Sequence, residues 1–315
     1  MTLTQLNAFV LVARLGSVRA AARALGVSEP AVSQAINALR QHLGDRLLER
    51  GPSGMTVTTG GARLLTVATQ MVALGAEAEA AVRDAHGGAE QLRLVASSTI
   101  TEFVATPLLD AFARRYGARI EASSGVANSE EMGVLVANRL ADLALGPYLG
   151  AVSGLPLVSE PVFRCRMVVV GPGRDARVPS PCRGPWLVDP SGTDPAGDTG
   201  RLLARLGVPE DRIRVYPNQT AAWAAAADGA GLSTAPAHLI GHRVRRGELT
   251  VVDTPATPME VRWHATTLAR DSRPPSAAAL RRFLDTPEAM QLMRAPGAGV
   301  PPSHFRPPVY VTIWR

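Results

Sequence analysis

Glu29, Ser33, Gln34 and Asn37 carry hydrogen-bonding side chains at spacings that put them on one side of a helix. Val32, Ile36, Leu39 and Leu43 make the apolar stripe opposite. Short polar groups along one exposed helix face suit the edges of bases in a DNA groove. One member is awkward: Glu29 is an acid, and phosphate repels it. At the first turn of a helix, however, a carboxylate is favoured by the dipole, and in a groove it can accept from a cytosine amino group. Nearby, Arg46 and Arg50 are the candidates for phosphate contact.

Catalytic chemistry is poorly supported. There is no G-x-S-x-G, H-E-x-x-H or G-x-G-x-x-G, and the six His (His42, His86, His238, His242, His264 and His304) are scattered. His238 and His242 share i, i+4 spacing, but no carboxylate or cysteine completes a metal set around them. His264, in "VRWHATTL", reads as a strand residue. The chain has no lysine, which excludes a lysine Schiff base and a Walker-A lysine. We expect no enzyme, no metal and no cofactor.

The elements that position the polar face follow from caps and periodicity. Leu6, Phe9, Val10 and Ala13 line one face of a first helix. Ser17 caps a second, "VRAAARAL", which Gly26 ends in a left-handed turn. Ser28 caps the third helix, with Pro30 in its first turn, where the missing N–H costs nothing. Two helices joined by a short Gly-containing turn form a helix-turn-helix. A small helical interaction module is the other reading of this segment. "RLLERGPSGMTVTTGG" then reads as a two-stranded wing, Leu47–Arg50 and Met55–Thr58, turned by "GPSG". Charge agrees. Residues 1 to 63 hold seven Arg against Glu29, Asp45 and Glu49, a net of +4 of the +6 on the whole chain.

The stretch from Leu6 to Gly61, with "GSVRAAARALGVS", "PAVSQAI..L", "LGDRLLER" and the Gly-then-Thr pattern of the wing, closely resembles the N-terminal domain of LysR-type transcriptional regulators. Departures are Glu29 where Gln is usual, Asn37 where a basic residue is common, Leu48 for Phe, and Ser53 and Thr56 at wing positions that are often basic. The resemblance implies a winged helix-turn-helix meeting double-stranded promoter DNA through Ser28, Glu29, Pro30, Ala31, Ser33, Gln34 and Asn37. Arg46, Arg50 and Thr58 would stand beside them.

Beyond residue 61, Leu64, Ala68, Met71, Gly75, Ala78, Val82 and Ala85 alternate spacings of 4 and 3, the seam of a coiled coil. A helix packed on its own domain is the alternative. In the resembled family this helix pairs two chains, and two dimers form a tetramer. "HGGAEQ" reads as the hinge. From Leu92, short apolar runs alternate with helices, which implies parallel α/β sheets binding ligands beyond the strand ends. The arrangement resembles the two-lobed, periplasmic-binding-protein-like effector domain of the same family. The expected fold is thus a multidomain α+β and α/β chain. Its parts are a winged domain (1–60), a linker helix and hinge (61–90), the effector domain (91–295) and a C-terminal extension (296–315). Lobe 1 would span about 91–160 and 266–295, lobe 2 about 161–265.

Polar residues at strand ends are the candidates for a ligand. "ASSTIT" offers Ser97, Ser98, Thr99 and Thr101; "VANSEE" offers Asn128 and Ser129; "GPY" offers Tyr148. "PSGTD" adds Ser191 and Thr193, and "YPNQT" adds Asn218, Gln219 and Thr220. The resemblance favours Ser98, Thr99, Asn128 and Ser129. Each is equally readable as an ordinary helix cap. Helix N-termini around the crevice favour a carboxylate or phosphate as the small-molecule effector.

The opening residues do not read as a signal peptide, because Arg14 interrupts the apolar run. No apolar stretch reaches about 20 residues, so no membrane span is expected. Two unpaired cysteines, Cys165 and Cys182, fit a reducing cytoplasm. The tail "PGAGVPPSHFRPPVYVTIWR" reads as an edge strand, a lid or an oligomer contact. If the chain activates transcription, RNA polymerase is a further partner. A solute-binding transport protein, and a DNA-binding regulator without a small ligand, are the readings left open from other classes.

Overall fold

Three helices open the chain, each started by a side chain that satisfies a free helix amide. They are α1 (Leu3–Leu15), α2 (Val18–Leu25) and α3 (Glu29–Leu43), capped by Thr2, Ser17 and Ser28. Gly26, at φ 66°, closes α2 and turns the chain directly into α3. Strands β1 (Leu48–Gly51) and β2 (Gly54–Val57) pair antiparallel as the wing. The structure is a computed structural model and describes residues 1–51, 54–85, 89–150, 157–173 and 184–296. The centre of the wing turn, the "HGG" of the hinge, Cys182 and the C-terminal tail lie outside the described residues.

Helix α4 (Thr59–Ala85) starts where "TTGG" lets the chain come very close to the loop before the wing. A Cβ on Gly60 would collide with Asp45 Oδ2, and one on Gly61 would collide with the Leu47 carbonyl oxygen. Only glycines fit there. The first half of the seam expected along α4 is used within the chain, while Ala78 and Val82 of its second half are exposed. Ala68 is fully buried, Gly75 packs against Leu3, and α1 is the main partner of α4. The apolar residues left outward on α4 are Val67 and Leu74, 52% and 63% exposed, with Val82 also exposed.

The C-terminal part begins with β3 (Glu90–Ala96), which leads into α5 (Ser98–Ile100), a π turn (Thr101–Ala105) and α6 (Thr106–Tyr116). β4 (Ile120–Val126), α7 (Ser129–Ala137) and β5 (Leu143–Gly146) complete the first βα set. β6 (Leu157–Pro172) then crosses to the second set. This contains β7 (Trp186–Val188), α8 (Asp198–Arg205), β8 (Ile213–Val215), α9 (Gln219–Ala227), β9 (Leu232–Pro236), α10 (Ala237–Arg245) and β10 (Leu249–Val252). β11 (Met259–Leu268) returns, followed by α11 (Pro275–Leu284) and α12 (Pro287–Arg294).

β3 pairs parallel with β4 and β5, and β7 pairs parallel with β8 and β9, as the βα alternation implies. The crossing strands differ from that expectation. β6 and β11 run antiparallel to each other, and they join both sets into one nine-stranded sheet, with β10 paired to β6 off the main path. With 16 residues β6 spans about 50 Å, enough to belong to both lobes. The register of the pair shifts at Trp263/His264, where the strands pass between lobes. No helix among the described residues is long and apolar enough to cross a membrane.

Candidate functional site

The outer face of α3 is bare. Val32, Ile36 and Leu39 sink into the core, while Glu29, Ser33, Gln34 and Asn37 stay exposed. Ser28, Pro30 and Ala31, at the helix start, are exposed too. Leu43, expected in the buried stripe, is 40% exposed because Gly44 ends the helix there. Glu29 has the Arg19 guanidinium 3.8 Å away, with both side chains open to solvent. Arg46 and Arg50 are exposed beside the helix.

Two residues in this region have structural duties. Arg40 donates from Nε to the Arg46 carbonyl (2.6 Å) and from Nη2 to the Leu48 carbonyl (2.8 Å). It also donates to Asn37 Oδ1 at 3.3 Å, and so ties the polar face to the base of the wing. The sequence gives no sign of this, since Arg40 reads as a last-turn cation. The Thr58 hydroxyl donates to Asp45 Oδ1 (3.0 Å) and accepts from Gly61 N (2.9 Å). Thr58 is thereby committed to the start of α4, and it is only partly exposed.

Between the two lobes lies a partly open space of about 40 Å³. That is room for a few waters and small beside metabolite pockets of a few hundred Å³. Of the strand-end candidates, Ser97, Thr99, Asn128, Ser129 and Ser191 line it. Ser98, Tyr148, Asn218 and Thr220 are placed differently. Ser98 donates its hydroxyl to Asp189 across the cleft. Tyr148 points outward, 58% exposed, with its ring edge-on to His264, and Pro147 takes its place in the lining. Asn218 caps α9 by accepting from Ala221 N (2.8 Å), and Thr220 gives its amide to Glu102. Neither lines the space.

The lobes are latched by acids that strand-end reasoning passed over. Asp194, from lobe 2, accepts the Ser129 amide at the start of α7 (2.8 Å). Glu102, on the π turn of lobe 1, accepts from Gln219 N (3.0 Å) and Thr220 N (3.1 Å) at the start of α9. The helix N-termini expected to hold an anionic ligand therefore hold the chain's own carboxylates. Burial raises the Glu102, Asp189 and Asp198 carboxyls above their ordinary range. Bonds to Thr220 and Gln219, to Ser98 and Ser191, and to Arg201 respectively oppose that rise. The acids of "PSGTDPAGD" look like turn residues, and only the closure of one lobe on the other gives them partners.

α7 also meets the N-terminal domain. Glu131 accepts from Asn128 N in a capping box and receives Arg23 of α2 on its other oxygen. Arg139 pairs with Glu77 of α4. Buried residues of α1 and α7, among them Phe9, Met132 and Leu135, share one hydrophobic cluster.

A family model described as "Bacterial regulatory helix-turn-helix protein, lysR family" matches residues 3–62, and "LysR substrate binding domain" matches residues 85–286. An uncharacterized HTH-type transcriptional regulator of Mycobacterium tuberculosis is 32% identical over 322 residues, covering all of both chains. The transcriptional regulator CfxR of Cupriavidus necator is 29% identical over 90% of this chain and 91% of that one. Among solved structures, a full-length variant of AphB covers 90% of this chain and 98% of its own, with a TM-score of 0.58 at 18% identity. ArgP from Mycobacterium tuberculosis covers 89% and 95%, with a TM-score of 0.54 at 21% identity. These structures share the fold.

Proposed function

The chain belongs to the LysR family of bacterial transcriptional regulators, with a DNA-binding helix-turn-helix and an effector-binding domain, and on that premise we propose how it works. α3 enters a major groove with Glu29, Ser33, Gln34 and Asn37 toward base edges, while Arg46 and Arg50 hold phosphates. Two chains pair along the outward stripe of α4, where Val67 and Leu74 stand one heptad apart and exposed. The paired chains read an interrupted inverted repeat, and two dimers form the working tetramer. A small molecule enters between the lobes, changes their closure and so changes the geometry the dimer imposes on DNA. The protein acts in the cytoplasm, has no catalytic activity and, where it activates, works through RNA polymerase.

The observation that carries this reading is the bare polar face of α3 on a helix whose opposite side is buried, flanked by two exposed arginines. The test is binding to a duplex spanning the intergenic region beside its own gene, measured across salt. Arg50→Ala should weaken binding to all sequences alike and reduce the salt slope by about 1. Unchanged affinity and slope would remove Arg50 from the phosphate contacts.

A further inference from the structure

Taking the cleft as the effector site, we propose that it selects a small cation, an amine or guanidinium on a short carbon chain, and rejects carboxylates. Among the described residues, two carboxylates line the space, Asp194 and Asp198, and no Arg or His does. The basic group on either acid is Arg201, whose Nη2 lies 2.5 Å from Asp198 Oδ1 and which is itself outside the lining. The polar remainder is neutral: Ser97, Thr99, Asn128, Ser129, Ser191 and Thr199. One of these is unspent. Ser129 Oγ is buried at the cleft with no hydrogen-bond partner, although the same residue's amide is bonded to Asp194. A buried hydroxyl without a partner marks a place where a ligand atom completes the bonding.

The features that would welcome an anion are already consumed. Asp194 fills the amide end of α7, and Glu102 fills that of α9. A ligand carboxylate would meet the like charge of Asp194 and an Asp198 already paired with Arg201, whereas an ammonium would meet an opposite charge at Asp194. Ile100, Met167 and Trp263 offer the apolar wall for a short carbon chain. The space is too small for such a molecule as it stands, so entry parts the lobes at the Ser129–Asp194 bond. The arriving cation takes Asp194 from the Ser129 amide. Binding and release of the latch are thus one event.

The test uses the full-length protein with 1,4-diaminobutane and butylguanidine against glutarate and butyrate at matched ionic strength, by thermal shift and calorimetric titration. A cation should raise Tm and titrate at one site per chain, binding at least about tenfold tighter than the anion of similar length. Asp194→Asn, which keeps the size and an acceptor oxygen, should weaken the cation at least about tenfold. Ser129→Ala is the second variant, and it should also weaken it. Stabilisation by glutarate but not the diamine, lost in Ser129→Ala, would overturn the charge selection and leave the cleft as the effector site. A diamine response unchanged in Asp194→Asn and Ser129→Ala would put binding elsewhere and overturn the proposal. No response to either class at about 10 mM would overturn the cleft reading together with it.

Discussion

Glu29 is the residue at which the face proposed to read DNA departs most sharply from its family resemblance, and its surroundings say what it can do. It stands in the first turn of α3, exposed, with Arg19 3.8 Å away and also exposed. A solvent-open pair at that distance contributes little to stability, so the carboxylate is available to a base. Glu29→Gln should change preference at one operator position by about 1–3 kcal/mol and leave non-specific affinity nearly unchanged. Selection from a randomised duplex pool, compared between the two proteins, measures this. A uniform change across all sequences would reduce Glu29 to a helix-start residue. A second titratable group speaks to stability. Burial against Phe163 and Trp263 pushes the His238 imidazole down to about 4. Its folded value lies below the ordinary one near 6.5, so the unfolded chain binds the extra proton first. The stability involved is present above about pH 6.5 and is lost as pH falls toward 4. Urea midpoints at pH 7.5 and 5 should therefore drop further in the wild type than in His238→Leu. Residues such as Glu29 were readable from sequence because their helix is local: turn, cap and stripe all lie between Gly26 and Leu43. The cleft was partly readable. Strand-end patterns find Ser97, Thr99, Asn128, Ser129 and Ser191, but they do not tell a cap such as Asn218 from a lining residue.

At the scale of elements, the start of α4 shows why "TTGG" follows the wing. Thr58 links Asp45 to the first turn of the helix, and the two glycines allow the helix to lie against the Asp45–Leu47 loop. Gly61→Ala would set a Cβ on the Leu47 carbonyl oxygen, a backbone atom that cannot swing aside. The expected cost is about 1–3 kcal/mol. Chemical denaturation measures it, and a loss below about 0.5 kcal/mol would mean that the loop relaxes freely. α4 also shows where periodicity stops informing. A spacing of 4 and 3 identifies an apolar seam but not its partner. Ala68 and Gly75 turn out to serve α1 of the same chain, which leaves Val67 and Leu74 facing out. The crossing of β6 from one lobe to the other follows from the order of the βα units, whereas its antiparallel pairing with β11 depends on which strand returns beside it.

In the molecule as a whole, α7 touches everything that has to communicate. Its first amide is held by Asp194 of lobe 2, and its third residue, Glu131, is held by Arg23 of the helix-turn-helix. Closure of the cleft and placement of the DNA-binding domain therefore share one helical turn. None of this is visible in sequence, because Arg23 and Glu131 lie 108 positions apart and each reads as an ordinary exposed charge. Burial decides otherwise for one of them: the Glu131 side chain is 10% exposed, against 46% for Arg23. Losing Arg23 leaves a largely buried carboxylate short of its charge partner, while Glu131→Gln removes the charge and keeps an acceptor for the Asn128 amide. Arg23→Ala and Glu131→Gln should each lower stability, and the double variant should lose less than their sum. The coupling should be on the order of 1 kcal/mol, since half of the pair is open to water. Urea denaturation of the four proteins closes the cycle. A coupling indistinguishable from zero would mean that the winged domain does not rest on lobe 1 in solution, and it would cut the connection between α7 and the DNA-reading helix.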